Sequence, residues 1–339
     1  MRKKISIFAG FALSIFLIYF AVRRVDFRSV LATYGKVAVW QIAALALLAV
    51  CDLFIRGLRW KLLIAPCRNA GVFTMTKLET IGLALNNVLP LRLGEIARAA
   101  IGAPLVNVPF FTLIATIVVE RVLDTFSMAV IFLIAIQLGG GISWIKDYSG
   151  VIWMLLGGVA AGLGLLIFLD ELLVHSKSFS GALDRFPRFG RFVRQIATGA
   201  EALRNFKLAV PIICLGLALW LLNAFEFYLA ARSLHLNPAL SYLNSVIVWG
   251  VGAIAVSLPA MPGYFGTWDI AIQRAVSAWG IDPATGLAYA AYIHITLYIV
   301  MTSLGIIFLY QTGNSLGGVW KNMGGKKSEN AAAGGCSKT

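Results

Sequence analysis

Charge is scarce in this sequence: Asp, Glu, Lys and Arg make up 13% of the 339 residues, about half of the roughly 25% usual in a soluble domain. Hydrophobic residues reach 59% and mean hydropathy is +0.83, more apolar surface than a soluble core of this length can hide. Histidine is rarer still, with only His175, His235 and His294, far apart in the chain, which argues against a histidine-rich metal site. The four cysteines, Cys51, Cys67, Cys214 and Cys336, have no CxxC or other paired spacing, so neither a thiol metal site nor a disulfide framework is indicated. Gly-x-Ser-x-Gly, His-Glu-x-x-His, Walker and dinucleotide signatures are all missing. A nucleotide-driven pump within this chain is therefore not expected, and no cofactor is called for.

What is present is a series of long apolar runs: Ile5–Val22, Val37–Ile55, Val122–Leu138, Val151–Leu169, Val210–Ala231 and Ala284–Leu309. Each is near the roughly 20 residues that a helix needs to cross the hydrocarbon. Barrel strands would alternate over short segments instead, so the fold class is all-α, a polytopic helical membrane protein. Acidic residues number 15 against 29 Lys and Arg, a formal charge of +14. The basic residues flank apolar runs without any nucleic-acid recognition module, so anionic membrane lipids are the expected partners and nucleic acid is not.

Basic residues also orient the chain. Arg2–Lys4, the stretch Arg56–Lys77, the linker 170–208 and Lys321–Lys327 all read as cytoplasmic under the positive-inside rule, which places both termini in the cytoplasm. The basic connection Arg23–Lys36 disagrees with that frame. In the linker, Arg185, Arg188, Arg191 and Arg194 alternate with Phe186, Phe189 and Phe192, which fits either a segment lying on the inner leaflet or a solvated positive loop. Residues 1–320 form one transmembrane domain, and the Gly/Ala/Ser-rich, basic stretch 321–339 reads as a disordered tail.

Two segments do not read as simple spans. Residues 78–104 are interrupted by Pro90, Arg92, Gly94, Glu95 and Arg98, and residues 243–279 by Pro259, Pro262, Gly263, Gly266 and Asp269. Proline removes a backbone donor and clashes with the preceding turn, so each predicts helix, turn, helix. Both share the kernel Leu-Pro-x-x-x-Gly, at Leu89–Gly94 and Leu258–Gly263. Counting spans, they enter from opposite sides, which predicts two oppositely oriented re-entrant segments in an inverted repeat. Broken backbone at membrane depth must line protein or a water-filled cavity.

Charges within apolar runs are costly, about 2.5–3.5 kcal/mol at the bilayer centre by insertion scales, and so face a cavity or one another. Arg92, Glu95 and Arg98 lie in the first broken segment, with Glu95 and Arg98 on one helical face. Glu120 and Asp124 share another face beside Arg121. One reading makes them a central anion site in which Arg92, Arg98 and Arg121 outweigh their carboxylates, assisted by a helix amino end near Gly94. The other makes them mutually neutralising bundle glue. Asp52, close to Arg56, reads as a snorkelling residue or a local pair. Asn223 and Glu226 lie deeper and read as cavity residues. His294 reads as a hydrogen-bonded packing residue.

Asn87–Arg98, Glu120–Asp124 and Pro262–Asp269 together resemble the three signature regions of the lysylphosphatidylglycerol synthase transmembrane family, over nearly the whole chain. The resemblance implies a bundle with paired re-entrant helices that moves lipids between leaflets of a bacterial inner membrane. It implies functional roles for Arg92, Glu95, Arg98, Glu120, Arg121 and Asp124, with Gly263, Gly266 and Asp269 in the second broken segment. Asp269 stands where the family commonly has glutamate. The 339 residues hold no soluble aminoacyl-transfer domain, so a stand-alone member is expected, with any lipid-modifying enzyme a separate partner. The expected function is translocation of an anionic or phosphate-bearing lipid: a phospholipid, an aminoacyl-phospholipid or a polyprenyl phosphate. Substrate is expected at Arg92, Glu95, Arg98, Glu120, Arg121 and Asp124, with gating or coupling at Pro90, Gly94, Glu226, Pro259, Gly263, Gly266 and Asp269. Two alternatives stay open, a membrane-embedded lipid-phosphate transferase with a carboxylate base and a non-transporting accessory protein.

Overall fold

The structure, a computed structural model, describes residues 37–89, 93–139, 199–236, 238–257 and 262–314, with scattered positions at 32–35, 150–168 and 190. The expected span at 5–22 and the tail therefore lie outside the described residues, as does most of the linker, whereas the described positions of the expected span 151–169 are helical.

Among the described residues every regular element is helical. The chain runs through α1 (Val39–Ile64), α2 (Val72–Val88), α3 (Gly94–Val106) and α4 (Phe110–Gly139). After a single turn at Glu201–Arg204 come α5 (Phe206–Ser233), α6 (Tyr242–Ser257), a 3₁₀ turn at Pro262–Tyr264, α7 (Thr267–Ser277) and α8 (Pro283–Gln311). Three of these, α1, α5 and α8, are long and apolar enough to cross a membrane. The protein is an all-α, multi-pass membrane protein. Each broken segment resolves into two helices of 17 and 13 residues (α2, α3) or 16 and 11 (α6, α7). Each pair is bracketed by long helices, so the order long, short, short, long occurs twice.

Local chemistry sets the helix ends. Asp282 precedes Pro283 and its carboxylate accepts from the Ala284 and Thr285 amides at 3.1 and 3.0 Å, an N-cap followed by proline at the first helical position. Those bonds, the Thr285 contact first, hold the exposed Asp282 carboxyl below its ordinary range. Asn205 caps α5 through the Lys207 amide. Asn107, with φ 53°, ends α3 in the left-handed conformation that asparagine tolerates. Proline is tolerated where it is, five residues into α5 at Pro211 and near the end of α3 at Pro104.

Without a hydrophobic drive between helices in lipid, close backbone approach holds the bundle together. Helix α2 lies between two glycines: Gly57 of α1 meets Thr76, and Gly305 of α8 meets Thr80 and Ala84, each so closely that a Cβ would collide. Large apolar side chains such as Leu47 and Phe54 of α1, Ile213 and Leu221 of α5, and Ile299 and Ile307 of α8 point outward, as lipid-facing positions must.

The interior is layered. One apolar core joins Trp60, Leu63 and Ile64 of α1 to α2, α3 and the first half of α4, up to Leu123. A second joins Leu45 of α1 to α5, α6, α7, α8 and the later part of α4, from Ile131 to Ile136. Between the two, α1 contributes Asp52, Arg56 and Arg59, α4 contributes Glu120 and Asp124, and α5 contributes Glu226, all buried. A polar stratum thus separates two dry cores, one built around each broken segment.

Candidate functional site

Glu120 occupies the centre of the polar stratum with no exposed surface. Its Oε1 accepts from Arg121 at 2.6 Å and Arg59 at 3.2 Å, and its Oε2 accepts from Arg98 at 3.0 Å. Arg98 reaches this point from α3 and also pairs with Glu79 of α2, its guanidinium lying 4.6 Å from the centre of the Trp60 ring. Arg59 donates to Asp124 at 2.6 Å. Arg121 completes the net with Asp124 at 3.3 Å and Glu95 at 3.8 Å. Alongside, Arg56 pairs with Asp52 at 2.7 Å, and Asn223 of α5 donates to the same carboxylate at 2.6 Å. Glu226 of α5 is buried in the same stratum. Every arginine here is matched by at least one carboxylate, as burial of charge requires.

Asp52, Glu79, Glu95, Glu120 and Asp124 pair with Arg56, Arg59, Arg98 and Arg121, so in this network carboxylates outnumber guanidinium groups among the described residues, which do not include Arg92 of the expected anion site. Arg98 is committed to two carboxylates within the layer. The helix end expected at Gly94 is also committed, since its amide donates to Asn86 Oδ1 at 2.8 Å. Glu95 and Arg98 part company: the Arg98 side chain is 3% exposed and inward, whereas that of Glu95 is 24% exposed toward Arg121.

Beside the network lies a cavity of about 510 Å³. Asn87 and Glu95 reach it from the first broken segment, and Gly263, Tyr264 and Trp268 from the second. Arg121 and Asp124 of α4, Glu226 of α5 and His294 of α8 supply its ionisable groups, with Trp220, Phe227, Trp249 and Tyr298 among its rings. Trp220 Nε1, Glu226 Oε1 and Tyr298 Oη are buried on this wall and make no hydrogen bond among the described residues. Buried polar atoms without protein partners ordinarily meet water or a ligand.

Of the expected site residues, the structure brings Glu95, Arg121, Asp124, Glu226 and Gly263 to the cavity wall and sets Arg98 and Glu120 behind it. Asp269 reaches it indirectly, through His294 at 2.9 Å. Pro90, Arg92 and Pro259 lie outside the described residues. Of the two readings of Asp52, the local pair is the one formed, and the residue is fully buried. One reading needs correction: Arg56 and Arg59 are not loop charges, because α1 continues to Ile64 and carries them into the stratum. Arg59, Glu79 and the tryptophans were missed as site residues. The i,i+4 pair Asp52/Arg56 followed by Arg59 was the available signal that the run from Val37 extends beyond Ile55.

The model of the family described as "Lysylphosphatidylglycerol synthase TM region" matches residues 7–305. The chain belongs to that family. Among its relatives is a UPF0104 membrane protein of Methanothermobacter thermautotrophicus, 25% identical over 325 residues that cover 89% of this chain and 92% of the relative. Another is UPF0104 membrane protein MJ1595 of Methanocaldococcus jannaschii, 26% identical over 74% of this chain and 78% of the relative. Glycosyltransferase AglD of Haloferax volcanii is 24% identical over 87% of this chain but only 52% of its own length. No solved structure matches. Membership makes the protein part of a lipid-related group of membrane proteins, and no group of His, Cys, Asp or Glu suited to a metal ion occurs among the described residues.

Proposed function

We propose that this protein moves a phosphate-bearing lipid between membrane leaflets, with the headgroup in the cavity and the tails in lipid. The observation that carries the reading is the cavity itself, lined by both broken segments and carrying three buried polar atoms without hydrogen-bond partners among the described residues. Its 510 Å³ suits a headgroup, within the roughly 300–1,000 Å³ of small-ligand sites. A headgroup taken out of water needs such partners, because buried polar groups left unpaired are costly.

The repeated order of long, short, short and long helices supports an inverted repeat with α2–α3 and α6–α7 as re-entrant pairs, each gating the cavity from one side. The charge balance narrows the substrate. One arginine, Arg121, shares the wall with Glu95, Asp124 and Glu226, with tryptophan and tyrosine rings beside them. That set suits a headgroup with both a phosphate and a protonated amine: guanidinium for the phosphate, carboxylates and ring faces for the ammonium. An aminoacyl- or amine-bearing phospholipid therefore fits better than a polyprenyl phosphate. AglD, named as a glycosyltransferase and matched over 52% of its length, supports an association of such a membrane region with an enzyme.

Reconstitution in liposomes with headgroup-labelled phosphatidylglycerol, lysylphosphatidylglycerol and a polyprenyl phosphate tests this. Protein-dependent leaflet exchange, greatest for the amine-bearing lipid and reduced at least about tenfold by Arg121→Ala, is expected, since one partner of a buried charge pair is worth about 2–5 kcal/mol. Exchange unaffected by Arg121→Ala in a folded protein rules out this cavity as the path. A modified lipid appearing without exchange would replace translocation by a transferase activity.

A further inference from the structure

The second broken segment is fastened by one histidine whose hydrogen bonds require a proton beyond those of a neutral imidazole and a carboxylate. His294 of α8 places Nε2 2.7 Å from the carbonyl oxygen of Gly263 and Nδ1 2.9 Å from Asp269 Oδ1. A carbonyl oxygen only accepts, so Nε2 bears a hydrogen. A neutral ring then has a bare Nδ1, whose lone pair would face a carboxylate lone pair at hydrogen-bond distance. The contact is bonding only with a second proton between Nδ1 and Oδ1.

Asp269 stands in the first turn of α7, where the helix dipole favours an anion, and its Oδ2 accepts from the Gly266 amide at 2.8 Å. The second proton therefore resides on the ring. An imidazolium also suits the surrounding rings, with Phe265 stacked on it at 4.2 Å and Trp268 at 4.8 Å. The fastened backbone is unusual: Gly263, Tyr264 and Gly266 have φ of 71°, 59° and 87°. A left-handed tyrosine persists only when its surroundings hold it.

We propose that His294 and Asp269 form a proton-binding site that latches the Gly263–Gly266 turn to α8, so that proton release into the cavity frees the turn. His294 lines the cavity, which gives the proton its exit. The ionisable groups facing the pair are Asp269 from α7, Tyr264 from the turn and Tyr298 from α8, with Glu226, Asp124, Arg121 and Glu95 on the walls formed by α5, α4 and α3. The faces of α2 and α6 present Asn87 and Trp249, which do not titrate. The latched state holds the proton and the released state gives it up. Acid therefore favours latching and rising pH weakens it, by at most about tenfold per pH unit for one linked proton. The inference rests on the proposed lipid path only for its consequence, a coupling of lipid movement to a proton gradient.

The variant Asp269→Asn discriminates. An asparagine amide donates to the bare Nδ1 of a neutral ring while its oxygen still accepts from Gly266, so the latch closes without the extra proton. The full-length protein in nanodiscs, with His175→Gln and His235→Gln leaving one ¹⁵N-labelled histidine, is titrated by NMR. Hydrogen exchange of residues 263–268, corrected for the intrinsic rate, is followed in parallel. Expected are two protonated ring nitrogens at acid pH, protection of the turn that declines with pH, and a pH-independent, protected turn in Asp269→Asn. A ring with one proton throughout, protection indifferent to pH, or an unchanged pH response in Asp269→Asn each overturns the proposal. Lipid exchange is measured separately on the same preparations. Its absence alongside a titrating latch refutes the translocation reading alone, whereas exchange beside a non-titrating ring refutes the latch alone.

Discussion

Replacing Glu120 with glutamine removes one charge and no volume from the centre of the polar stratum. Glu120 accepts from Arg59, Arg98 and Arg121 at 3.2, 3.0 and 2.6 Å, and its surface is wholly covered. A glutamine oxygen can still take one or two of these donors, but its amide hydrogens would then confront the remaining guanidinium. Charge-assisted bonds contribute about 1.5–3 kcal/mol each. The loss is not their sum, because Arg59 keeps Asp124 at 2.6 Å and Arg98 keeps Glu79. Breaking a buried pair on one side costs about 3–5 kcal/mol, which is the expected loss of stability for Glu120→Gln. Reversible unfolding in mixed micelles measures it. Arg98→Met removes a partner of both Glu120 and Glu79, so its loss and that of Glu120→Gln should not add, with a coupling of about 0.5–3 kcal/mol. A single-variant loss below about 1 kcal/mol, with no coupling, would mean that water already solvates these arginines and that the stratum is not dry.

Two further changes probe how the first broken segment is held. Gly94→Ala places a methyl 2.6 Å from Asn86 Oδ1 and 2.7 Å from its amide nitrogen, so α2 and α3 must separate, at an expected cost of about 1–3 kcal/mol by the same unfolding assay. Asn86→Ala leaves the Gly94 amide without its acceptor and should cost about 0.5–2 kcal/mol, visible as faster hydrogen exchange at the start of α3.

The sequence told more about where charges are than about whom they meet. Apolar runs located α1, α5 and α8 because span length is set by the bilayer, and Pro and Gly located both breaks because their backbone restrictions are local. Helix ends were less legible. Arg56, Arg59 and Lys61 looked like a cytoplasmic flank, yet α1 carries Arg56 and Arg59 inward because Asp52, Glu120 and Asp124 wait there. The Glu120 partner from α1 lies 61 residues away in sequence, and no periodicity within either helix encodes that distance. Glu79 was missed for the same reason. The latch was half visible: Asp269 was marked by the family motif, but nothing near His294 indicates that its ring meets Asp269 and Gly263.

The polar stratum also dictates how the chain can be assembled in a membrane. Helix α1 carries Asp52 and Arg56 as a self-contained i,i+4 couple, which leaves only Arg59 uncompensated within the stratum. Helix α4 carries Glu120, Arg121 and Asp124, one negative charge in surplus. Neither surplus is welcome in hydrocarbon, at about 2.5–3.5 kcal/mol for a lone ion at the helix centre. The contacts of Arg59 with Glu120 and Asp124 cancel both at once. Each of the two helices is therefore better accommodated in the bilayer beside the other than alone, so the same charges that form the stratum also favour the pairing of α1 with α4.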